Sequence, residues 1–184
     1  IAGDTVSSSA NLGLKKKATA SSSKGANTAD MAFDGTTDTR WQADNEADDE
    51  WIQVDLGSVQ AVNAVTINWE AAYAAKYEIQ VSTDGKEWTT VAKENGMVGE
   101  ITSSFAATKA RYVKMQGVSR GTQYGYSIYE MQVFGAVQAK APTITPVSGT
   151  YKGTQTVTMS TAVKGAEIKY TTDGATPTED SATY

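Results

Sequence analysis

The 184-residue sequence predicts an all-β protein, an antiparallel β-sandwich followed by part of a second, small β-domain. Three observations carry this. Apolar and polar residues alternate over short segments, which is the period of a half-buried strand. Glycine and Asp-Gly turn signals separate those segments. Helical spacing is confined to two brief stretches, Asp30 to Phe33 and Ala71 to Ala75.

Taken in order, residues 1–23 are rich in Ser, Thr, Ala and Gly and carry the triplet Lys15-Lys16-Lys17, a solvated lead-in to a first strand. Gly25 to Glu50 is loop-like. Trp51 to Gly57 then places Ile52, Val54 and Leu56 on one face. Val65 to Trp69 alternates again, and Tyr77 to Ser82 does so before running into the hairpin signal Thr83-Asp84-Gly85. Trp88 to Val91, Ile101 to Phe105, Tyr112 to Val118 and Ile128 to Phe134 complete the set, a strand count typical of a sandwich. Past Gly135 the texture changes. A connector lies near 138–141, and Pro142 and Pro146 bracket a new start with strands at Gln155 to Met159 and Glu167 to Tyr170. The expected division is a lead-in at 1–11, a domain at 12–137, and a linker with a truncated β-repeat at 138–184, too short for an independent core.

Composition excludes much chemistry. With no histidine there is no Ser-His-Asp or Cys-His relay. With no cysteine either, zinc, haem and iron–sulfur ligand sets are missing, and any metal must be a hard cation held by oxygen. A formal net charge of −5 argues against nucleic acid. No apolar run is long enough to cross a membrane. The start at Ile1 is expected of a processed or excised chain.

The acid run Asp44 to Glu50 fails as an EF-hand, because Asp49 stands where the loop needs glycine, and it reads as a solvated loop. Met31 to Trp41 is a better cation candidate. Its Asp-Gly turn, Asp34 and a hydroxyl such as Thr39 could surround Ca²⁺ if one distant carboxylate joined them. Nothing singles out a carboxylate pair for glycoside hydrolysis. Trp51, Trp69, Trp88, Tyr77 and Tyr112 fall in or beside strands and read as core. Tyr124 and Tyr126 lie instead in the glycine-rich segment Arg120 to Ser127, where tyrosines cap a core or stack on the C–H face of a sugar. Glu70 and Tyr73, just beyond the Trp69 strand, offer an acid and a further ring.

Ala32-Phe33-Asp34-Gly35 with Thr39-Arg40-Trp41, then Trp51 to Gly57, Tyr77 to Gly85 with Trp88, Ala110 to Lys114, and Tyr129 to Gly135 occur in that order. Together they resemble the discoidin, or coagulation factor 5/8 type C, superfamily, and within it carbohydrate-binding module family 32. The resemblance covers residues 12–135. It implies a jelly-roll-like, galactose-binding-domain-like sandwich of eight strands with a structural Ca²⁺. The implied calcium donors are carbonyls of Met31, Thr36, Thr39 and Tyr129, the Thr39 hydroxyl, and the carboxylates of Asp34 and Glu130. The terminal cysteine pair of animal members is absent, which points to the bacterial module.

The resemblance further implies a carbohydrate site at Arg40, Asn45, Glu70, Tyr73, Tyr124 and Tyr126. A glutamate expected near Ser23–Lys24 and an aromatic near Asn45 are missing, so a neutral β-glucan is expected over chitosan. The tail, Pro142 to Tyr151 with Tyr170 to Thr178, resembles the fibronectin-type-III-associated, chitobiase C-terminal-like repeat. The function implied is that of a non-catalytic module that binds the terminal sugar of an oligosaccharide or polysaccharide. It would be a monomeric unit of a secreted or cell-surface bacterial glycoside hydrolase of several modules. The alternative is a discoidin-type adhesion or protein-interaction domain. Lipid docking is disfavoured, because the candidate loops are acidic or tyrosine-bearing.

Overall fold

The computed structural model describes residues 5–138, 142–161, 168–175, 177 and 181–184. Parts of four expectations therefore lie outside the described residues: the start of the lead-in (1–4), most of the connector (139–141), Glu167 of the strand expected at Glu167 to Tyr170, and Thr176 and Thr178 of the tail motif. The chain forms two compact units, Ser7–Ala136 and Ile1–Val6 with Val137–Tyr184.

The first unit is built on an eight-stranded antiparallel arrangement. Its strands are β1 (Thr5–Asn11), β2 (Lys17–Ala20), β3 (Trp41–Gln42), β4 (Trp51–Trp69), β5 (Ala74–Ser82), β6 (Thr89–Asn95), β7 (Gly99–Arg120) and β8 (Ser127–Gln138). Segments expected as separate strands merge into two long ones, β4 and β7. Each serves both layers of the sandwich. Trp51 to Asp55 pairs with Tyr112 to Gln116 and with β2, whereas Ala64 to Trp69 pairs with Gly99 to Ser104 and with β8. The register breaks between Asp55 and Gln60, where Gly57 takes φ +87°, a left-handed turn that costs glycine little. One layer is therefore β2, the first half of β4, the second half of β7, β5 and β6. The other is β1, β8 and the remaining halves, with β3 paired to β8.

Both layers feed one core. Ile52, Val54 and Leu56 are buried as their alternation predicts, and they join Val113, Met115, Ile79, Val65, Ile67, Met131 and Val133. Trp69 packs edge-on against Tyr77, with centroids 5.3 Å apart, and against Tyr126 at 6.1 Å. Trp51, Trp88 and Tyr112 are only half-buried. Lys114 Nζ sits 4.1 Å above the Trp88 ring, so that ring faces a cation rather than the core. Of the two brief helical expectations, Ala29–Ala32 forms one 3₁₀ turn. Ala71 to Ala75 forms none, because β5 already starts at Ala74.

In the second unit, β9 (Thr143–Thr145) pairs with β10 (Thr158–Ser160), and β11 (Lys169–Tyr170) pairs with β12 (Ala182–Thr183).

Candidate functional site

The loop after the 3₁₀ turn reverses at Gly35, whose φ is +88°. Asp34 organises it. Its Oδ1 accepts the Thr36 N–H at 3.0 Å and its Oδ2 accepts the Thr39 hydroxyl at 2.6 Å, with the Met31 carbonyl 3.4 Å from that hydroxyl. Glu130, on β8, reaches the same loop, its Oε2 accepting the Gly35 N–H at 3.2 Å. Glu130 Oε1 is buried and has no partner. The carboxyl is pushed up to about 7, chiefly by burial; the Gly35 N–H opposes this and the Asp34 charge adds to it. A carboxylate, a hydroxyl and the Met31 carbonyl on this loop, with the Glu130 carboxylate reaching it from β8 and one buried oxygen unmatched, are a donor set of the kind Ca²⁺ takes. Among the described residues no group of three or more His, Cys, Asp or Glu could hold a metal, so such a site depends on its neutral oxygens.

At one end of the sandwich, segment 121–127 is stitched between two other loops. Gly121 N–H donates to the Tyr73 carbonyl at 2.9 Å. Ser127 donates to the Ala72 carbonyl at 2.9 Å and accepts the Glu70 N–H at 3.0 Å. On the other side, Gly125 lies so close to residues 43–45 that a Cβ would stand 2.6 Å from the Asn45 carbonyl oxygen. Asn45, Glu70, Tyr73 and Tyr124 thus belong to one loop cluster. Tyr124 is 56% exposed, Tyr73 is half-buried with its ring against Gly121, and Glu70 Oε2 accepts the Ala72 N–H at 3.0 Å. Arg40 precedes β3, whose Trp41 and Gln42 pair with Ile128 and Ser127. Its Nε is buried with no partner, and Nη2 reaches Gln42 Oε1 only at 3.5 Å.

Tyr126 is a correction. It is fully buried, edge-on to Trp69, and donates its hydroxyl to the Asp48 carbonyl at 2.6 Å. Gly117 makes this possible, since a Cβ there would lie 2.5 Å from the Tyr126 hydroxyl. The ring caps the core and cannot stack on a sugar.

The acid run is a second correction, because it is not simply solvated. Glu50 is 5% exposed. Its Oε2 accepts the hydroxyls of Ser21, at 2.6 Å, and Ser22, and its Oε1 accepts the Asn45 side-chain N–H at 3.0 Å. Burial alone would raise this carboxyl, but the three donors outweigh it and hold the group below its ordinary value. Asp48 pairs with Arg120 at 3.1 Å, and Arg120 also donates to the Gln123 carbonyl at 2.8 Å. The signal for Glu50 was available: extended one step back, the alternation of Ile52, Val54 and Leu56 puts residue 50 on the inward face.

This arrangement defines a class, an antiparallel β-sandwich whose oxygen-rich loop is braced by its last strand and whose loops gather aromatic and polar side chains at one end. The chain belongs to the F5/8 type C domain family, whose model matches residues 17–131; residues 146–184 match the chitobiase/beta-hexosaminidase C-terminal domain. Chitosan-binding module 1 of a chitosanase/glucanase from Paenibacillus sp. IK-5 is 50% identical, with a TM-score of 0.66 over 68% of this chain and 99% of that one. Module 2 of that enzyme, solved with chitotriose, is 41% identical, with a TM-score of 0.66 over 68% and 100%. The family 32 module of Clostridium perfringens NanJ, solved with galactose, is 25% identical, with a TM-score of 0.58 over 65% and 93%. Among curated proteins, polysaccharide lyase 8 family protein HylA of Enterococcus faecalis is 38% identical over 91 residues, which are 47% of this chain and 6% of that protein.

Proposed function

We propose that the first unit is a non-catalytic carbohydrate-binding module that holds a β-linked polysaccharide of the chitosan type for a catalytic domain elsewhere in a secreted bacterial glycoside hydrolase. The observation that carries this is the exposed Tyr124 ring among Asn45, Glu70 and Tyr73, on a scaffold half-identical to a chitosan-binding module. Tyr124 offers a face for the C–H side of a pyranose. Glu70 is the acid placed to receive an ammonium or hydroxyl of the sugar, and Arg40 supplies donors to ring and hydroxyl oxygens. Calcium, held by Asp34, Glu130, the Thr39 hydroxyl and carbonyls of Met31, Thr36, Thr39 and Tyr129, would tie the first loop to the last strand and take no part in binding sugar.

A neutral β-glucan is the second reading, favoured by Lys24, a cation near the position where an amino-sugar ligand calls for an acid. Affinity electrophoresis of the full chain through chitosan, β-1,3-glucan, mannan and galactoside gels tests both. Retardation by chitosan with no release of reducing sugar is expected. Retardation by glucan alone would favour the second reading, and retardation by none would refute the module. Among the described residues no helix is long and apolar enough to cross a membrane.

A further inference from the structure

Glu50 stands apart from the residues that face the ligand, yet it governs where they stand. Its buried carboxylate gathers two segments far apart in sequence, Ser21-Ser22 and Asn45. The Ser22 hydroxyl passes the restraint on, accepting the Asp44 N–H at 2.9 Å and the Asn45 N–H at 3.4 Å, while the Ser22 carbonyl takes the Trp41 indole N–H at 3.0 Å. The main chain of the same stretch is pinned from the opposite side. Gly117 N–H donates to the Glu50 carbonyl at 3.0 Å, Gln116 to the Asp49 carbonyl at 2.9 Å, and the Tyr126 hydroxyl to the Asp48 carbonyl. Segment 43–45, held this way, is the floor against which Gly125 is packed, and Tyr124 is the next residue.

We infer that Glu50 is a positioning residue of the glycan site: through Asn45 and Ser22 it sets the floor beneath Tyr124 before the ligand arrives. This rests on the carbohydrate-binding reading above and adds to it a residue that makes no contact with sugar. The physical reason is preorganisation. A sugar bound in a shallow site buries little area, so each loop that must be ordered on binding subtracts directly from a small affinity. A carboxylate saturated by three donors orders two segments in the free protein. The desolvation of that carboxylate is offset because every donor is supplied within the chain.

The test is isothermal titration of the full chain with soluble chitosan oligosaccharides, and in parallel with β-1,3-glucan oligosaccharides, at a temperature where circular dichroism shows every variant folded. Glu50→Ala is expected to weaken binding about tenfold. Glu50→Gln, whose amide can donate to a serine hydroxyl while its oxygen accepts from Asn45, is expected to stay within about threefold of the parent. In an Asn45→Ala background, Glu50→Ala should cost less than in the parent, since the Asn45 side-chain link is already gone and only the Ser22 link remains to be lost. Ser22→Ala, which deletes one donor, carries the test should Glu50→Ala fail to fold, and is expected to weaken binding several-fold. Unchanged affinity in Glu50→Ala or Ser22→Ala, or equal losses with and without Asn45, would overturn the inference while leaving the module intact. If the parent binds neither probe, the chitosan and glucan readings fall and this one with them.

Discussion

Tyr124 and Tyr126 are two residues apart and should behave in opposite ways. Tyr126→Phe removes one hydroxyl from a fully buried ring and breaks its 2.6 Å hydrogen bond to the Asp48 carbonyl. Asp48 is exposed, so water can reach its freed carbonyl, and the loss should sit near the ordinary worth of a neutral hydrogen bond, about 1–2 kcal/mol. For a domain of this size that lowers Tm by roughly 3–8 °C. Tyr126→Ala empties a core position that touches Trp69 and should cost about 3–5 kcal/mol. Tyr124→Ala, by contrast, deletes a ring that is 56% exposed and should change stability by no more than about 0.5 kcal/mol. Its cost falls on binding, about tenfold if the ring stacks on a pyranose. Differential scanning calorimetry and chitosan affinity electrophoresis on the same samples read both axes. A Tyr126→Phe protein with parental Tm and lost binding, or a Tyr124→Ala protein with intact binding, would refute this division of roles.

Calcium at about a hundred times its dissociation constant should stabilise the chain by about 2.7 kcal/mol and raise Tm by roughly 5–10 °C; Glu130→Gln should abolish that shift, and an unchanged melt with no metal detected would eliminate the site. Gly125→Ala places a Cβ 2.6 Å from the Asn45 carbonyl oxygen and 3.1 Å from that of Ala43. Both are main-chain atoms, so the loops must part, and titration with chitosan oligosaccharides should show weakened binding. Asp55 accepts two hydrogen bonds of 2.9 Å from Arg111, which hold its carboxyl below the ordinary value. Because the folded value is the lower one, the stabilisation is complete above the unfolded pKa of about 4 and is lost as pH falls through the folded value. Asp55→Asn should therefore lower Tm at neutral pH, and the gap from the parent should close in acid, as melts across a pH series would show.

The strands were legible because alternation is a local property: Ile52, Val54 and Leu56 point inward wherever β4 goes. That β4 and β7 each run through both layers was not legible, since the corner at Gly57 looks the same in sequence as a strand ending. Asp34 and Thr39 announce an oxygen-rich loop by proximity. Glu130 does not, because only the pairing of β8 with β4, and the loop lying against it, bring the two together. The same limit explains the tyrosines. A glycine-rich loop has no period, so nothing local separates Tyr126, which enters the gap left by Gly117, from Tyr124, which stays outside. Lys24 and Asn45 mark where the family's glutamate and aromatic are missing, but what Asn45 does depends on Glu50, whose inward face shows only when the alternation of β4 is carried back into the acid run.

Glu50 and Glu130 show how a buried acid is to be interpreted. Each is 5% exposed, so each meets the same kind of desolvation. Glu50 receives three side-chain donors and its carboxyl stays below the ordinary range. Glu130 receives one main-chain donor, faces the charge of Asp34, keeps one oxygen unmatched, and is pushed up to about 7. Glu130 lies deeper among protein atoms and receives fewer hydrogen-bond donors, and the supply of donors is what the chain itself sets. Around Glu50 the chain supplies them in full, so that acid needs nothing from outside and serves to hold loops. Around Glu130 the chain stops short while bringing further oxygens to the same loop, and that is the setting on which the calcium proposal rests. This contrast sets two tests. Neutralising Glu130 should remove the response to calcium and leave sugar binding at saturating ligand, whereas removing Glu50 should weaken sugar binding and leave the response to calcium. A variant pair that exchanged those phenotypes would show that the two loops are not divided in this way.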